Sequence, residues 1–301
     1  MTTLPIIGVG NEGSQKAFLQ ANKPFLDEYH LLLSVVKDVF LNRVIYPPSD
    51  EVIASLAGLP DQDPKVLAVD DKYRSDLIVY TLGRIAWDDF GELMVLAGNG
   101  LGVGALKILR GMYERVVTSA YIAKNPQASR AFADGIWTHH AKVWRRLVAL
   151  NPALSEGELP EEIRTIQTEA KRAQDNKNAS TCKCCGQLKQ IDAWTPLDLA
   201  SMARIAGKQL EDLYLGCYLE PTAHLHATAA GTAARMQHAE NSWLYKLDTT
   251  GEARMALFFG HDLILLNLRT QNDYFDLGLL NSIDSRIAAF NELWDKSGEE
   301  T

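Results

Sequence analysis

Apolar residues recur in helical rows along nearly the whole chain. Between Lys23 and Val44, Phe25, Leu32, Val36 and Phe40 fall on one helical face with Leu33 and Val39 alongside, and Pro47-Pro48 closes the segment. A second helix is expected from Arg74 to Ala97, carrying Ile78, Leu82, Ile85, Leu93 and Leu96. A third runs from Gly104 to Lys124 and stops at Asn125-Pro126. The fourth, Ala128 to Leu150, has Trp137, Val143, Trp144 and Leu147 as its apolar side and ends before Asn151-Pro152. Pro160 to Asn178 reads as a polar, solvent-facing helix with acids in its first turn and bases later. An irregular segment, NASTCKCCGQLKQ, follows it. Thr195 then serves as N-cap and Pro196 as first residue of a new helix. Further helices are expected at Gln209 to Leu219, Leu225 to His238, Glu252 to Arg269 and Asn281 to Lys296.

No stretch sustains the alternation of a strand, which decides how the glycines of LAGNGLGVGALK are read. Gly100-x-Gly102-x-x-Ala105 fits the dinucleotide fingerprint, but that motif needs a strand before its glycines and another after its helix. Without strands, the glycines mark a turn that lets two helices approach closely. The helix start at Gly102 to Gly104 keeps backbone amides that can attract an anion. The chain is thus expected to be all-α, a multi-helix bundle forming one helical domain over 1–301. Residues 20–150 supply N-terminal helices, 151–193 an exposed polar helical arm with a cysteine-rich turn, and 194–296 the C-terminal helices that complete the bundle.

Composition narrows the setting. With 301 residues, 47% hydrophobic and 23% charged, the chain has ample core for a globular fold and is not disordered. No apolar run approaches the roughly 20 residues that span a bilayer. The stretch from Met255 to Leu268 is broken by His261, Asp262 and Asn267. The start MTTLPIIGVGNEG lacks the basic region and apolar run of a signal peptide, so a cytoplasmic protein is expected. A formal net charge of -8 opposes broad attraction to nucleic acid but leaves room for a local basic groove.

Three groups of residues carry candidate chemistry. Arg110 and Glu114 lie four apart on the third helix, as Arg84 and Asp88 do on the second. Each pair is either a surface ion pair or, if buried, a group in need of further partners. Tyr214 and Tyr218 share a helix face; Pro221 is expected to break that helix, and His224 and His226 follow. Cys182, Cys184 and Cys185 contain Cys-x-x-Cys-Gly, half of a zinc-ribbon ligand set, with Cys217, a histidine or a second subunit as the source of a fourth ligand. Reduced thiols are the other reading. His139-His140, with Lys142, Arg145 and Arg146 near, reads as a solvated helix face or as a small anion-facing patch. Nucleophile-elbow, P-loop, H-E-x-x-H and paired E-x-x-H patterns are absent from the sequence.

Taken in order, ALKILRGMYERVVTSAYI, CKCCGQ and AWTPLDLASMARIAGKQLEDLYLGCYLEPTAHLHA resemble the bacterial domain-of-unknown-function family 5677. The matching residues are Arg110, Glu114, Trp194, Met202, Ala203, Tyr214, Tyr218 and His226. Where that pattern would carry a serine this chain has Pro221-Thr222-Ala223, which leaves the hydroxyl at that place open. The family is similar to HEPN-like helical proteins, so the resemblance implies an α-helical bundle with a HEPN-like core. It also brings in a ribonuclease chemistry of the form R-x4-6-H, metal-independent, in a toxin or antiphage effector. Arg254 and His261 satisfy that spacing, and His226 with Arg110 is a non-standard alternative. The reading adopted is a homodimeric helical protein in which Arg110, Glu114, Tyr218 and His226, flanked by Tyr214 and His224, form an inter-helix cluster. That cluster either fixes helix register or lines a site for a small anionic or nucleotide ligand; RNA is the partner in the ribonuclease alternative, and zinc is the one cofactor considered.

Overall fold

The computed structural model describes residues 12–155, 158–176, 180–181, 188–189, 193–225, 228–239, 242–246 and 248–299. Its elements in chain order begin with α1 (Glu12–Ala21), α2 (Lys23–Val36), α3 (Asp50–Leu56), α4 (Pro64–Gly98), α5 (Gly102–Lys124), α6 (Ala128–Leu150) and α7 (Glu161–Asn176). A short pair, β1 (Ser180–Thr181) and β2 (Leu188–Lys189), precedes α8 (Leu199–Ala206), α9 (Lys208–Asp212), α10 (Glu220–Leu225) and α11 (Ala229–Ala233). A hairpin of β3 (Met236–Ala239) and β4 (Ser242–Tyr245) leads to α12 (Thr250–Phe275) and α13 (Leu280–Glu299). The fold is all-α, a multi-helix bundle whose strands form only two two-stranded antiparallel pairs among the described residues.

Several elements differ from the periodicity for local reasons. α4 starts ten residues early, because Pro64 suits a helix start and the Asp63 carboxylate accepts from the Lys65 amide at 2.9 Å. α8 begins at Leu199 rather than at Pro196: the Thr195 hydroxyl accepts instead from the Leu197 amide at 3.2 Å, closing a turn before the helix. The helix expected from Leu225 to His238 is divided between α10, α11 and the start of the hairpin. Its run of Ala and Thr offers no apolar stripe to bury, and the Thr228 side chain caps α11 by accepting from the Gly231 amide at 3.0 Å.

Two compact units form, one from residues 1–45, 78–124 and 199–301 and the other from 46–77 and 125–198. In the second, Arg130 donates to the Asp71 carboxylate at 2.8 Å, and Arg172 pairs with Asp134 at 3.3 Å and with Glu169 at 2.7 Å, tying α7 to α6. The polar arm is helical as expected, mostly exposed, with Ala173 its most buried residue. Trp194 meets the Phe132 ring edge to face at 5.1 Å.

In the first unit α12 is the buried axis, with Ala256, Leu257, Leu263, Ile264 and Leu268 at 0% exposure. It packs against Leu106, Leu109, Met112 and Val116 of α5, also fully buried. Buried amides key it to α4: Asn267 Nδ2 donates to the Gly83 carbonyl at 3.0 Å and Gln271 Nε2 to the Val79 carbonyl at 2.8 Å.

The glycine run closes α4 and opens α5. Gly100 takes φ +73°, and the Leu101 amide returns to the Leu96 carbonyl at 2.9 Å, ending α4. Thr249 then locks the turn: its hydroxyl donates to the Gly100 carbonyl at 2.8 Å and accepts from the Gly102 amide at 3.1 Å. The Gly102 amide expected to attract an anion is therefore occupied and buried against the start of α12. Thr249→Val, which keeps the shape and removes the hydroxyl, leaves a buried donor and acceptor without partners; a loss of about 1–3 kcal/mol in urea unfolding is expected.

Candidate functional site

The sequence makes α5 an amphipathic rod whose one flank carries Arg110 and Glu114 rather than an apolar side chain. That flank faces the segment from Tyr214 to Leu225. Pro221 was expected to break the helix there, but the chain passes through it by widening. A π-helical turn covers Leu215–Leu219, and the Glu220 amide bonds to the Leu215 carbonyl. Pro221 has no amide to donate to Cys217 and its ring would crowd that carbonyl, so a wider turn accommodates it without ending the helix. Gly216 sits inside this turn because any Cβ there would lie 2.3 Å from the Phe259 ring of α12.

The outcome is a network centred on Arg110. Its Nη2 forms an ion pair with Glu114 Oε1 at 2.9 Å and donates to the Tyr218 hydroxyl at 3.2 Å, while Nε donates to the Thr222 hydroxyl at 3.0 Å. Thr222 in turn donates to the Tyr218 carbonyl at 2.5 Å. The guanidinium also lies over the Tyr218 ring, 4.7 Å from its centre, and Tyr218 stacks on Tyr214 at 5.3 Å and 26°. Tyr113, fully buried, anchors the tyrosines from below, with rings 6.3 Å from each, and donates to the Leu210 carbonyl at 2.6 Å. Burial pushes its hydroxyl well above the usual tyrosine range, so it stays a neutral donor.

This network is neither a closed core nor a row of independent surface pairs. The Arg110 side chain is 18% exposed but that of Glu114 is 41% exposed, so the ion pair opens outward at its acidic end. The Nη1 group of Arg110 makes no hydrogen bond among the described residues. Arg84 and Asp88, by contrast, form a plain surface pair at 3.1 Å.

Thr222, whose hydroxyl the sequence left open, takes part in the network. The missing serine made a hydroxyl role at that place doubtful, yet Thr222 fills it, one turn beyond Tyr218 and within reach of Arg110. The usable signal was a hydroxyl four residues after a tyrosine of the pattern. His224, half-buried on α10, has a buried Nδ1 with no hydrogen-bond partner among the described residues. His226 lies outside the described residues, as do Cys182, Cys184 and Cys185. Among the described residues no group of three or more His, Cys, Asp or Glu is placed to hold a metal ion.

The ribonuclease pair is placed differently. His261 has 0% exposure and lies among aromatic rings: stacked on Phe290 at 5.0 Å and 10°, and meeting Phe90 edge to face at 4.9 Å. Its Nδ1 lies 2.9 Å from the Leu257 carbonyl one turn back. Burial, against a smaller opposing pull from nearby backbone carbonyls, holds its pKa down to about 4. Arg254 lies over the Trp294 ring at 5.3 Å. A proton-transfer group must come within hydrogen-bonding reach of its phosphate, and an imidazole sealed among rings does not.

Beside the network, Arg115 pairs with Asp89 of α4 at 2.6 Å. Burial pushes the Asp89 carboxyl up to about 6 despite the lowering pull of Arg115, with Glu92 and Asp88 adding to the rise. Gly111 makes room for that pair, since a Cβ there would lie 2.9 Å from the Arg115 guanidinium.

No helix among the described residues is long and apolar enough to cross a membrane. No curated protein and no solved structure matches the chain. The profile of one family, described only as a family of unknown function, matches residues 78–242, a span that holds Arg110, Glu114, both stacked tyrosines and Thr222. Because that match covers more than half of the 301 residues, the chain belongs to the family of unknown function DUF5677.

Proposed function

We propose that the protein is a binding protein for a small anionic ligand with a planar ring, of nucleotide type, held on the Arg110 network. The observation that carries this reading is the state of Arg110: its Nε and Nη2 are fixed by Thr222, Tyr218 and Glu114, while Nη1 makes no hydrogen bond among the described residues. A guanidinium held in this way keeps two donors in a set orientation, which suits a phosphate or carboxylate oxygen and costs little ordering on binding. The stacked pair Tyr214 and Tyr218 beside it supplies a partly exposed aromatic platform for a ring. Glu114, open to solvent, balances the charge of Arg110, so binding depends on geometry more than on net attraction.

Nucleoside mono- and diphosphates titrated calorimetrically test this reading. Wild type is expected to bind at least one, and Arg110→Ala to weaken it by ten-fold or more. Arg110→Lys, which keeps the charge and loses the fork, is expected to weaken it comparably. Wild type that binds none of them, or an Arg110→Ala variant that binds equally well, would contradict the proposal.

A further inference from the structure

A concavity lies wholly within the first unit, in a groove of about 620 Å³ between the C-terminal end of α5, the α8–α9 junction and the second half of α12. Its size is that of a small-molecule site. The space exists because the positions that meet there are small: Ala120 and Ala123 on α5, Ala206 and Gly207 at the junction. Gly207 takes φ +155°, and a Cβ there would meet nothing within 4 Å, so the glycine serves the backbone and leaves the groove open. Leu210 and Leu266, at 5% and 9% exposure, form the apolar floor.

The charged groups on the rim are arranged in an unusual way. Arg84–Asp88 and Arg110–Glu114 each have an arginine four residues before an acid on a helix, and each closes an ion pair, at 3.1 Å and 2.9 Å. Arg269 and Asp273 have the same spacing on α12 and form no pair with each other, though both line the groove. Arg269 reaches only Asp284, at 3.8 Å, and the Asp273 carboxylate accepts only from its neighbour Asn272, at 3.0 Å, among the described residues. Lys124 makes one long contact to the Ile205 carbonyl, at 3.4 Å. Lys208 is already engaged, by Asp212 at 2.5 Å and Glu211 at 3.5 Å. The groove therefore offers two cations and one carboxylate that do not pair with one another, over an apolar floor.

We infer that this groove binds a small amino carboxylate. Its carboxylate group sits on Arg269 and Lys124, its ammonium on Asp273, and its hydrocarbon part on Leu210 and the two alanines of α5. A zwitterion answers both signs of charge, whereas a simple anion would face Asp273 and a simple amine would face Arg269 and Lys124.

The test uses the full chain titrated with the common L-amino acids, with acetate and n-butylamine as single-charge probes. At least one amino acid is expected to bind, and both single-charge probes at least ten-fold more weakly. Arg269→Gln and Asp273→Asn are surface changes that leave the core intact, and each is expected to weaken the amino acid by ten-fold or more. Ala123→Leu, which fills the groove, is expected to abolish binding. Arg110→Ala, outside the groove, is expected to leave it unchanged, which separates this site from the one proposed above. No amino acid bound, equal binding of acetate or butylamine, or indifference to both α12 substitutions would overturn the inference.

Discussion

Replacing Gly102 by alanine is expected to cost about 2–3 kcal/mol of stability, although alanine is the better helix former. A Cβ at that position would lie 2.2 Å from both the Thr249 carbonyl oxygen and the Ala253 amide nitrogen, backbone atoms of the α12 start that cannot turn aside. Either α5 or α12 must shift, and these two helices form the main contact of the first unit. Gly104, two residues on, provides the control. A Cβ there meets only the Leu96 side chain at 3.5 Å, an ordinary contact, so Gly104→Ala is expected to be neutral or stabilising by a few tenths to 1 kcal/mol. Urea unfolding of the two variants distinguishes a close-packed crossing from a loose loop; equal midpoints would contradict the close approach of α5 to the start of α12 at Gly102.

The second large effect is a loss of stability in acid that traces to His261. In the folded chain burial holds its pKa down to about 4, while in the unfolded chain it returns to the ordinary 6.5. The unfolded state therefore binds the proton more readily between those values. Stability from the neutral imidazole is full above about pH 6.5 and falls as pH drops toward 4, by about 3 kcal/mol in all. Asp89 works in the opposite direction: with its carboxyl raised to about 6, the folded state holds the proton more tightly and stability is lost as pH rises. A comparison of wild type with His261→Phe removes that complication, because both carry Asp89. The phenyl ring fits the same aromatic surroundings and does not titrate. Between pH 7 and 4 the wild type is expected to lose about 3 kcal/mol more than the variant in urea unfolding. Parallel pH profiles would show that His261 titrates freely.

How far the sequence carried the fold depended on whether each feature was local. α6 begins and ends where Pro126 and Pro152 place it, although Val143 and Leu147 of its expected apolar side are exposed, and α12 contains the helix expected from Glu252 to Arg269, buried along Ala256 to Leu268. The convergence of Arg110 with Tyr218 was legible from spacing on two helices and a family pattern. Thr222 was not, because its role needs the π-helical turn that carries Pro221 without a break, and no single residue signals that turn. His261 looked catalytic by spacing alone, since Arg254 and His261 share a helix face; the rings that enclose it, Phe25, Phe90 and Phe290, come from three distant segments. The groove beside Arg269 is equally invisible in sequence, being a gap left by small residues from separated helices.

The proposed function rests on Arg110 as a fixed guanidinium with one amino group open to a ligand. A crystal structure of the protein with the tightest-binding nucleotide from the titration tests it most directly. A phosphate oxygen is expected within hydrogen-bonding distance of Arg110 Nη1 and the base on the Tyr214 and Tyr218 pair, with the bonds to Thr222 and Tyr218 kept. A nucleotide bound elsewhere, or an Arg110 that leaves Thr222 and Tyr218 to reach it, would overturn the proposed role of Arg110.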